Sequence, residues 1–294
     1  MFNKLTKCAV VAVFATLSIM PQLAAAKTEA PVKKITEMLY PTIMVDLSDG
    51  QGSGTVVFSG KRKHESWKDE KVWTLVLTNN HVIASAVSIE EEFDPKEGKN
   101  IQKETRRPVH VRFWDYNDYS TAVGTTGRVA RIVAWDKHRD LALLRLDDKE
   151  RIIKNVAILW PEDIGGPYLF QKTWAVGSGM SNPPYPTEGL LSGISGKDAK
   201  GRSLYLSSAP IIFGNSGGSL WAYSKSRDRY EMIGVPSMVG AFGYGSIIPH
   251  IAWSRPISEI RAFLRDNDFG FVVGDEDVPK KDPKDEKEDD DKDK

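Results

Sequence analysis

Three short stretches of this 294-residue chain hold the residue types that nucleophilic acyl chemistry needs. They are Leu77-Thr78-Asn79-Asn80-His81-Val82, Asp140-Leu141-Ala142-Leu143-Leu144-Arg145-Leu146 and Gly214-Asn215-Ser216-Gly217-Gly218. A serine hydroxyl is a weak nucleophile at neutral pH: it needs an adjacent base, and the base needs an acid to orient it. Ser216, His81 and Asp140 supply those types. Glycines around the serine permit a sharp turn in which the backbone N–H groups of Gly214 and Ser216 converge on a developing oxyanion. Each stretch alone has a plain explanation, as a strand-end histidine, a turn acid before a buried strand or a tight glycine loop. Their combination points to covalent catalysis by serine.

Such a site must be carried by a rigid scaffold, and residues 27–274 read mainly as short strands. Runs of β-branched, aromatic and aliphatic residues occupy 54–58, 72–78, 109–114, 129–134, 140–146, 171–176, 203–207 and 231–235, punctuated by Gly, Pro, Asn and Asp. Many strands with few helical stretches predict an all-β antiparallel sandwich or barrel. Residues 61–71 and 90–107 are charged interruptions, predicted as exposed loops. One helix is expected near the end, with Pro256 in its first turn and Ile257, Ile260 and Leu264 on one face, packed against the last sheet.

Composition narrows the function classes. Forty Lys+Arg against forty Asp+Glu, with 40% hydrophobic and 10% aromatic residues, describe neither a basic nucleic-acid binder nor a disordered chain. A single cysteine and five scattered histidines predict no intramolecular disulfide, no metal site and no cofactor. At the start, Lys4 and Lys7 precede the apolar run 9–20, and Ala24-Ala25-Ala26 offers a cleavage site. Residues 1–26 are therefore expected to be a signal peptide that exports the chain to the periplasm or medium and takes Cys8 with it. The run is short against the roughly 20 residues of a spanning helix, so no membrane span is expected after its removal. Residues 275–294 hold 11 acidic and 6 basic residues and read as a disordered charged tail. The kinase-like His138-Arg139-Asp140-Leu141 lacks the asparagine that motif needs five residues after its aspartate, where Arg145 stands. His64, His110, His250 and Pro183-Pro184-Tyr185-Pro186 read as ordinary surface, core and loop residues.

The three stretches, in the order His, Asp, Ser, resemble the trypsin-like (chymotrypsin-fold) serine peptidases in their HtrA/Deg-like bacterial branch. Gly52-Ser53-Gly54-Thr55-Val56-Val57, Ala175-Val176-Gly177, Ser192-Gly193-Ile194-Ser195 and Ile233-Gly234-Val235 extend the resemblance across most of residues 41–264. It implies two packed six-stranded antiparallel β-barrels, residues 27–155 carrying His81 and Asp140, and residues 156–274 carrying Ser216 and ending in the helix. It further implies an exported serine endopeptidase acting on proteins or peptides through an acyl-enzyme, with Gly214 and Ser216 forming the oxyanion hole. Activity should then fall as pH drops through a histidine-like value of about 6.5.

Two departures shape the expectation. Asn215 stands where digestive relatives carry the acid that pairs with a newly cut N-terminus, so that activation has no partner here. Pro210, six residues before Ser216, replaces the acid of a trypsin pocket. Together with Val235, Pro236 and Ser237 it implies a neutral pocket suited to a small or medium apolar side chain. No PDZ module is expected after residue 274, and the oligomeric state is left open. The alternative reading is a catalytically silent binding or scaffold protein of the same fold; such proteins usually lose a triad member, and none is missing here. Hydrolysis of non-peptide esters would use the same three residues.

Overall fold

The computed structural model describes residues 31–62, 71–95, 98–117, 121–147, 152–243 and 245–275. The expected signal segment with Cys8, His64 and the tail beyond Asp275 lie outside them. The first barrel opens with β1 (Thr42–Leu47), β2 (Gly50–Arg62) and β3 (Lys71–Thr78). A helical turn, Asn80–Ile83, leads into a separate two-stranded ribbon, β4 (Val87–Asp94) and β5 (Lys99–Arg106). β6 (Val109–Asn117), β7 (Thr121–Asp136) and β8 (Leu141–Leu146) then close the barrel in the order β1-β2-β3-β8-β7-β6. The second barrel comprises β9 (Lys172–Gly177), β10 (Tyr185–Lys197), β11 (Ser203–Ser207), β12 (Ser219–Ser224), β13 (Arg229–Phe242) and β14 (Ser246–Pro256), closed as β10-β11-β14-β13-β12-β9. The double antiparallel barrel expected from the sequence is the observed architecture.

Side-chain alternation explains why these runs became strands. In the first barrel Ile43 and Val45, Val109 and Val111, Ala130 and Ile132, and Ala142 and Leu144 share one buried cluster, the inward set of a period-two pattern. The intervening Leu75, Leu77, Leu141 and Leu143 face the other way and join Trp174, Val176 and Trp221 of the second barrel. β3 and β8 are thus buried on both faces, which is why their sequences are apolar almost without interruption. These two strands lead to His81 and away from Asp140.

Each end of the folded chain crosses to the barrel it does not belong to in sequence. Ahead of β1, Glu37 accepts a hydrogen bond from the Tyr230 backbone N–H at 2.8 Å, and Lys33 pairs with Asp228 at 2.8 Å. At the other end, helix Ile257–Asp266 buries Ile257, Ile260, Phe263 and Leu264, as the spacing predicts, with Pro256 as its N-cap. Beyond it, Phe269 meets Trp73 and Phe271 meets Phe58, both on the first barrel. The arms at both ends of the described chain therefore tie the two barrels together.

Three loop predictions need correction. Residues 90–107 are largely the β4–β5 ribbon, whose strands pair from Val87↔Arg106 to Asp94↔Lys99. Opposite charges across it, such as Lys103 with Glu92 at 2.6 Å, replace an apolar face, so no alternation of hydrophobicity announces the strands. At residues 61–71 the ends are ladder positions, with Lys61↔Val72 and Arg62↔Lys71 prolonging the β2–β3 hairpin. Likewise Tyr185 and Pro186 open β10 opposite Gly177 and Val176 instead of forming a loop.

Candidate active site

Asp140 sits immediately before β8 with φ 55°, a left-handed conformation uncommon outside glycine, and its side chain is about one-tenth exposed. This turn points the carboxylate at the helical turn carrying His81. The His81 ring donates from Nδ1 to Oδ1 and Oδ2, each at 3.0 Å, and the His81 backbone N–H reaches Oδ1 at 3.0 Å. A third group, the Ser237 hydroxyl, donates to Oδ2 at 2.5 Å. Burial opposes ionisation of Asp140, but the hydrogen bonds and charge of His81 and the Ser237 hydroxyl outweigh it and hold the carboxyl below its usual range. Asn79 secures the turn by donating from Nδ2 to the Asp140 carbonyl at 2.8 Å. His81 is half exposed, so the ring is fixed on its Nδ1 side and open to solvent elsewhere.

The nucleophile loop is tied to the first barrel through Ser53 on β2. Its N–H donates to the Ser216 carbonyl at 2.7 Å and its hydroxyl to the Gly214 carbonyl at 2.6 Å, while accepting from the Ser178 N–H at 2.8 Å. Gly217, with φ 82°, presses against the same wall: a Cβ there would stand 2.2 Å from the Ser53 carbonyl oxygen and 2.2 Å from the Thr78 hydroxyl. The loop bearing Ser216 is thereby brought against residues 78–82, the segment that holds His81.

Within the loop, Asn215 is buried and accepts from the Ile212 N–H at 3.0 Å through its Oδ1, while its own N–H donates to the Ile212 carbonyl at 3.0 Å. Gly217 and Gly218 donate to the Pro236 and Asn215 carbonyls, at 3.1 and 3.0 Å. Among the described residues, the N–H groups of Gly214 and Ser216 alone in this five-residue loop have no hydrogen-bond partner. Gly214 adopts φ 95°, the conformation that leaves its amide out of the local turn. Two unspent donors flanking Asn215 are the arrangement an oxyanion site requires.

The pocket residues divide. Pro210 is partly exposed and its carbonyl accepts from the Thr187 hydroxyl at 2.7 Å. Val235 is fully buried in the apolar core, Pro236 offers its carbonyl to Gly217, and the Ser237 hydroxyl is committed to Asp140. Val235 and Ser237 are therefore support for the site and not its lining. The register of β13 against β14 shifts between Pro236 and Met238, and this bulge turns Ser237 toward Asp140. Ser53, Asn79 and Ser237 brace the site through long-range bonds that their places in the sequence do not announce. On the open side, Met180 and Phe213 are both well exposed, joined by a 2.8 Å bond from the Met180 N–H to the Phe213 carbonyl. Among the described residues no cluster of His, Cys, Asp and Glu could hold a metal ion.

A family model described as the trypsin-like peptidase domain matches residues 52–227. The chain belongs to this family. The matched span contains His81, Asp140 and Ser216. Solved structures of the same fold include Deg5, at 20% identity and TM-score 0.52 over 80% of this chain and 92% of that one. The HtrA-type protease AlgW with tripeptide aligns at 16% identity and TM-score 0.54, over 83% of this peptidase and 64% of AlgW. The peptidase thus spans less than two-thirds of AlgW. A comparison with curated proteins finds no match. Among the described residues no helix is long and apolar enough to cross a membrane.

Proposed function

We propose that the chain is an exported serine endopeptidase in which Ser216 is the nucleophile, His81 the general base and acid, and Asp140 the orienting carboxylate. The observation that carries the reading is the grip of Asp140 on both the ring and the backbone N–H of His81, beside a nucleophile loop with two uncommitted amides. Because the Asp140 carboxylate only accepts, the His81 proton resides on Nδ1 and Nε2 is left with its lone pair toward solvent and substrate.

The reaction that follows runs in two halves. Ser216 Oγ attacks the peptide carbonyl as Nε2 of His81 takes its proton, and the carbonyl oxygen becomes an oxyanion held by the N–H groups of Gly214 and Ser216. His81 then gives that proton to the leaving amine, the C–N bond breaks, and an ester on Ser216 remains. Water, deprotonated by the same imidazole, attacks the ester and returns the serine. Asp140 stabilises the imidazolium formed in each half. AlgW, of similar fold, holds a tripeptide, which agrees with a peptide substrate here. Residues 1–26, with their basic start and apolar run, are the support for export.

A fluorophosphonate probe tests the nucleophile. The wild-type chain should be labelled at Ser216 and the Ser216→Ala variant should not. Equal labelling of both would move the nucleophile elsewhere, and labelling of neither would favour a silent scaffold.

A further inference from the structure

A buried charge in the second barrel stands close to the triad and takes no part in the reaction described above. Arg255, the second-last residue of β14, has a side chain only 1% exposed. Its two terminal nitrogens reach one acceptor, Oδ2 of Asp198, each at 3.4 Å, and its Nε has no hydrogen-bond partner among the described residues. A well-made charge-assisted bond runs at about 2.7–2.9 Å, so this pairing is slack. Asp198 is spent first on Arg202, whose Nε bonds the same oxygen and whose backbone N–H reaches Oδ1 at 3.0 Å. Two guanidinium groups thus share one carboxylate, and arginine keeps its charge even in an interior. One positive charge is left over.

This excess lies behind the turn that carries Asp140. Arg255 stands opposite Val235 in the β13–β14 ladder, two residues before Ser237, whose hydroxyl donates to Asp140. Diagonal neighbours on paired strands lie about 7–8 Å apart, within reach of an arginine side chain. From the loop between β10 and β11, Arg202 donates to the His138 carbonyl at 3.0 Å, two residues before Asp140. Arg139, beside Asp140 in sequence, is turned to Asp136, Glu259 and Asp266 and is balanced there. Burial and the Arg202 charge press Arg255 below its ordinary range, and the Asp140 and Asp198 carboxylates draw it back up. That attraction is mutual: the cation favours Asp140 as a carboxylate and opposes a second positive charge on His81.

We propose that Arg255 is a positioning residue of the peptidase: its buried guanidinium, only partly balanced by Asp198, keeps Asp140 charged and His81 a free base, and so sets how far into acid the site still works. The proposal rests on the assignment of His81 as the base. Asp140 alone would stabilise the imidazolium, and Arg255 offsets part of that pull. Asp198 is the counterweight that limits the effect.

The test reads His81 without turnover, in the full chain carrying Ser216→Ala. The ring Cε1–H signal of His81, identified by its loss in His81→Gln, is followed by NMR as the pH is varied. Arg255→Met removes the charge, keeps a long side chain and leaves Asp198 with Arg202; it should raise the midpoint by at least about half a pH unit. Arg255→Lys should return it close to the parent value. Asp198→Asn, which removes the counterweight, should lower the midpoint by a similar amount. Lost packing alone would not drive the two variants in opposite directions. With Ser216 in place, the acid limb of kcat/KM on a peptide should shift in step. Midpoints that stay put in both charge variants, or that move the same way, overturn the proposal. If Arg255→Met does not fold, the direction seen in Asp198→Asn decides. Failure of the fluorophosphonate probe to label Ser216 would instead remove the peptidase reading, and the histidine midpoints would still be read.

Discussion

Asp140 is held from three sides, and the donors do different jobs. The Nδ1 proton of His81 orients the ring, the backbone N–H of His81 fixes the distance, and Ser237 presses from behind. Replacing Ser237 by Ala removes only the last of these. Its kcat should fall about tenfold with KM unchanged, a difference of about 1.4 kcal/mol in the barrier, and Ser237→Thr should recover most of it. An unaltered kcat would show the hydroxyl to be idle. Since the folded carboxyl lies below its ordinary 3.8, the stabilisation it gives is complete above that value and is lost as pH falls through the lowered one. It stays ionised where a histidine base titrates, so the acid limb of kcat/KM should follow a single proton. A limb of slope two would bring Asp140 into the titration. His81, Asp140 and Ser216 stand out in the sequence because the chemistry proposed for them demands an uncommon set of types. Ser237 was misread as pocket wall because a one-residue bulge redirects it, and no residue type marks a bulge. Ser53 was missed because its partners lie 125 and 161 residues away.

At the scale of elements, one small loop joins the second barrel to the turn that positions Asp140. Asp198, at the end of β10, accepts from the N–H groups of Lys200 and Arg202 at 2.9 and 3.0 Å and pairs with the Arg202 guanidinium. Arg202 in turn donates to the His138 carbonyl at 3.0 Å, two residues before Asp140. Burial opposes ionisation of Asp198, yet these donors bring its carboxyl down to about 2. The contribution is therefore full above 3.8 and disappears as pH falls toward about 2. Asp198→Asn should lower stability by about 1–2 kcal/mol at pH 7, and the gap from wild type should close in acid. Urea midpoints at pH 7 and pH 3 would reveal a constant gap if the carboxylate were not responsible. Strands with apolar side chains on a buried face were readable, β6 with an alternating start and β8 as a nearly unbroken apolar run. The β4–β5 ribbon was not, because cross-strand charges and the bonds from Arg106 to the Ile132 and Val133 carbonyls hold it in place of apolar packing.

For the whole molecule, the decisive fact is that one apolar cluster serves both barrels. Leu75, Leu77, Leu141 and Leu143 from the first meet Trp174, Val176 and Trp221 from the second, with Ile260, Phe263 and Leu264 of the last helix in the same cluster. The barrels should unfold together in one transition. Phe263→Ala, at a fully buried position, should cost about 3–5 kcal/mol and move that whole transition, whether followed by tryptophan fluorescence or by circular dichroism. Two separated transitions would show the barrels to be independent. The helix also reaches the Asp140 turn directly, since Arg139 pairs with Glu259 at 3.4 Å and Asp266 at 2.7 Å. This crossing arm has a consequence in time. A ribosome delivers His81 and Asp140 early, but the groups that brace them and the cluster that joins the barrels are not complete until the final helix has emerged. The order of synthesis acts as a delay, so the hydrolytic machinery comes together only once the last folded residues are available to close it.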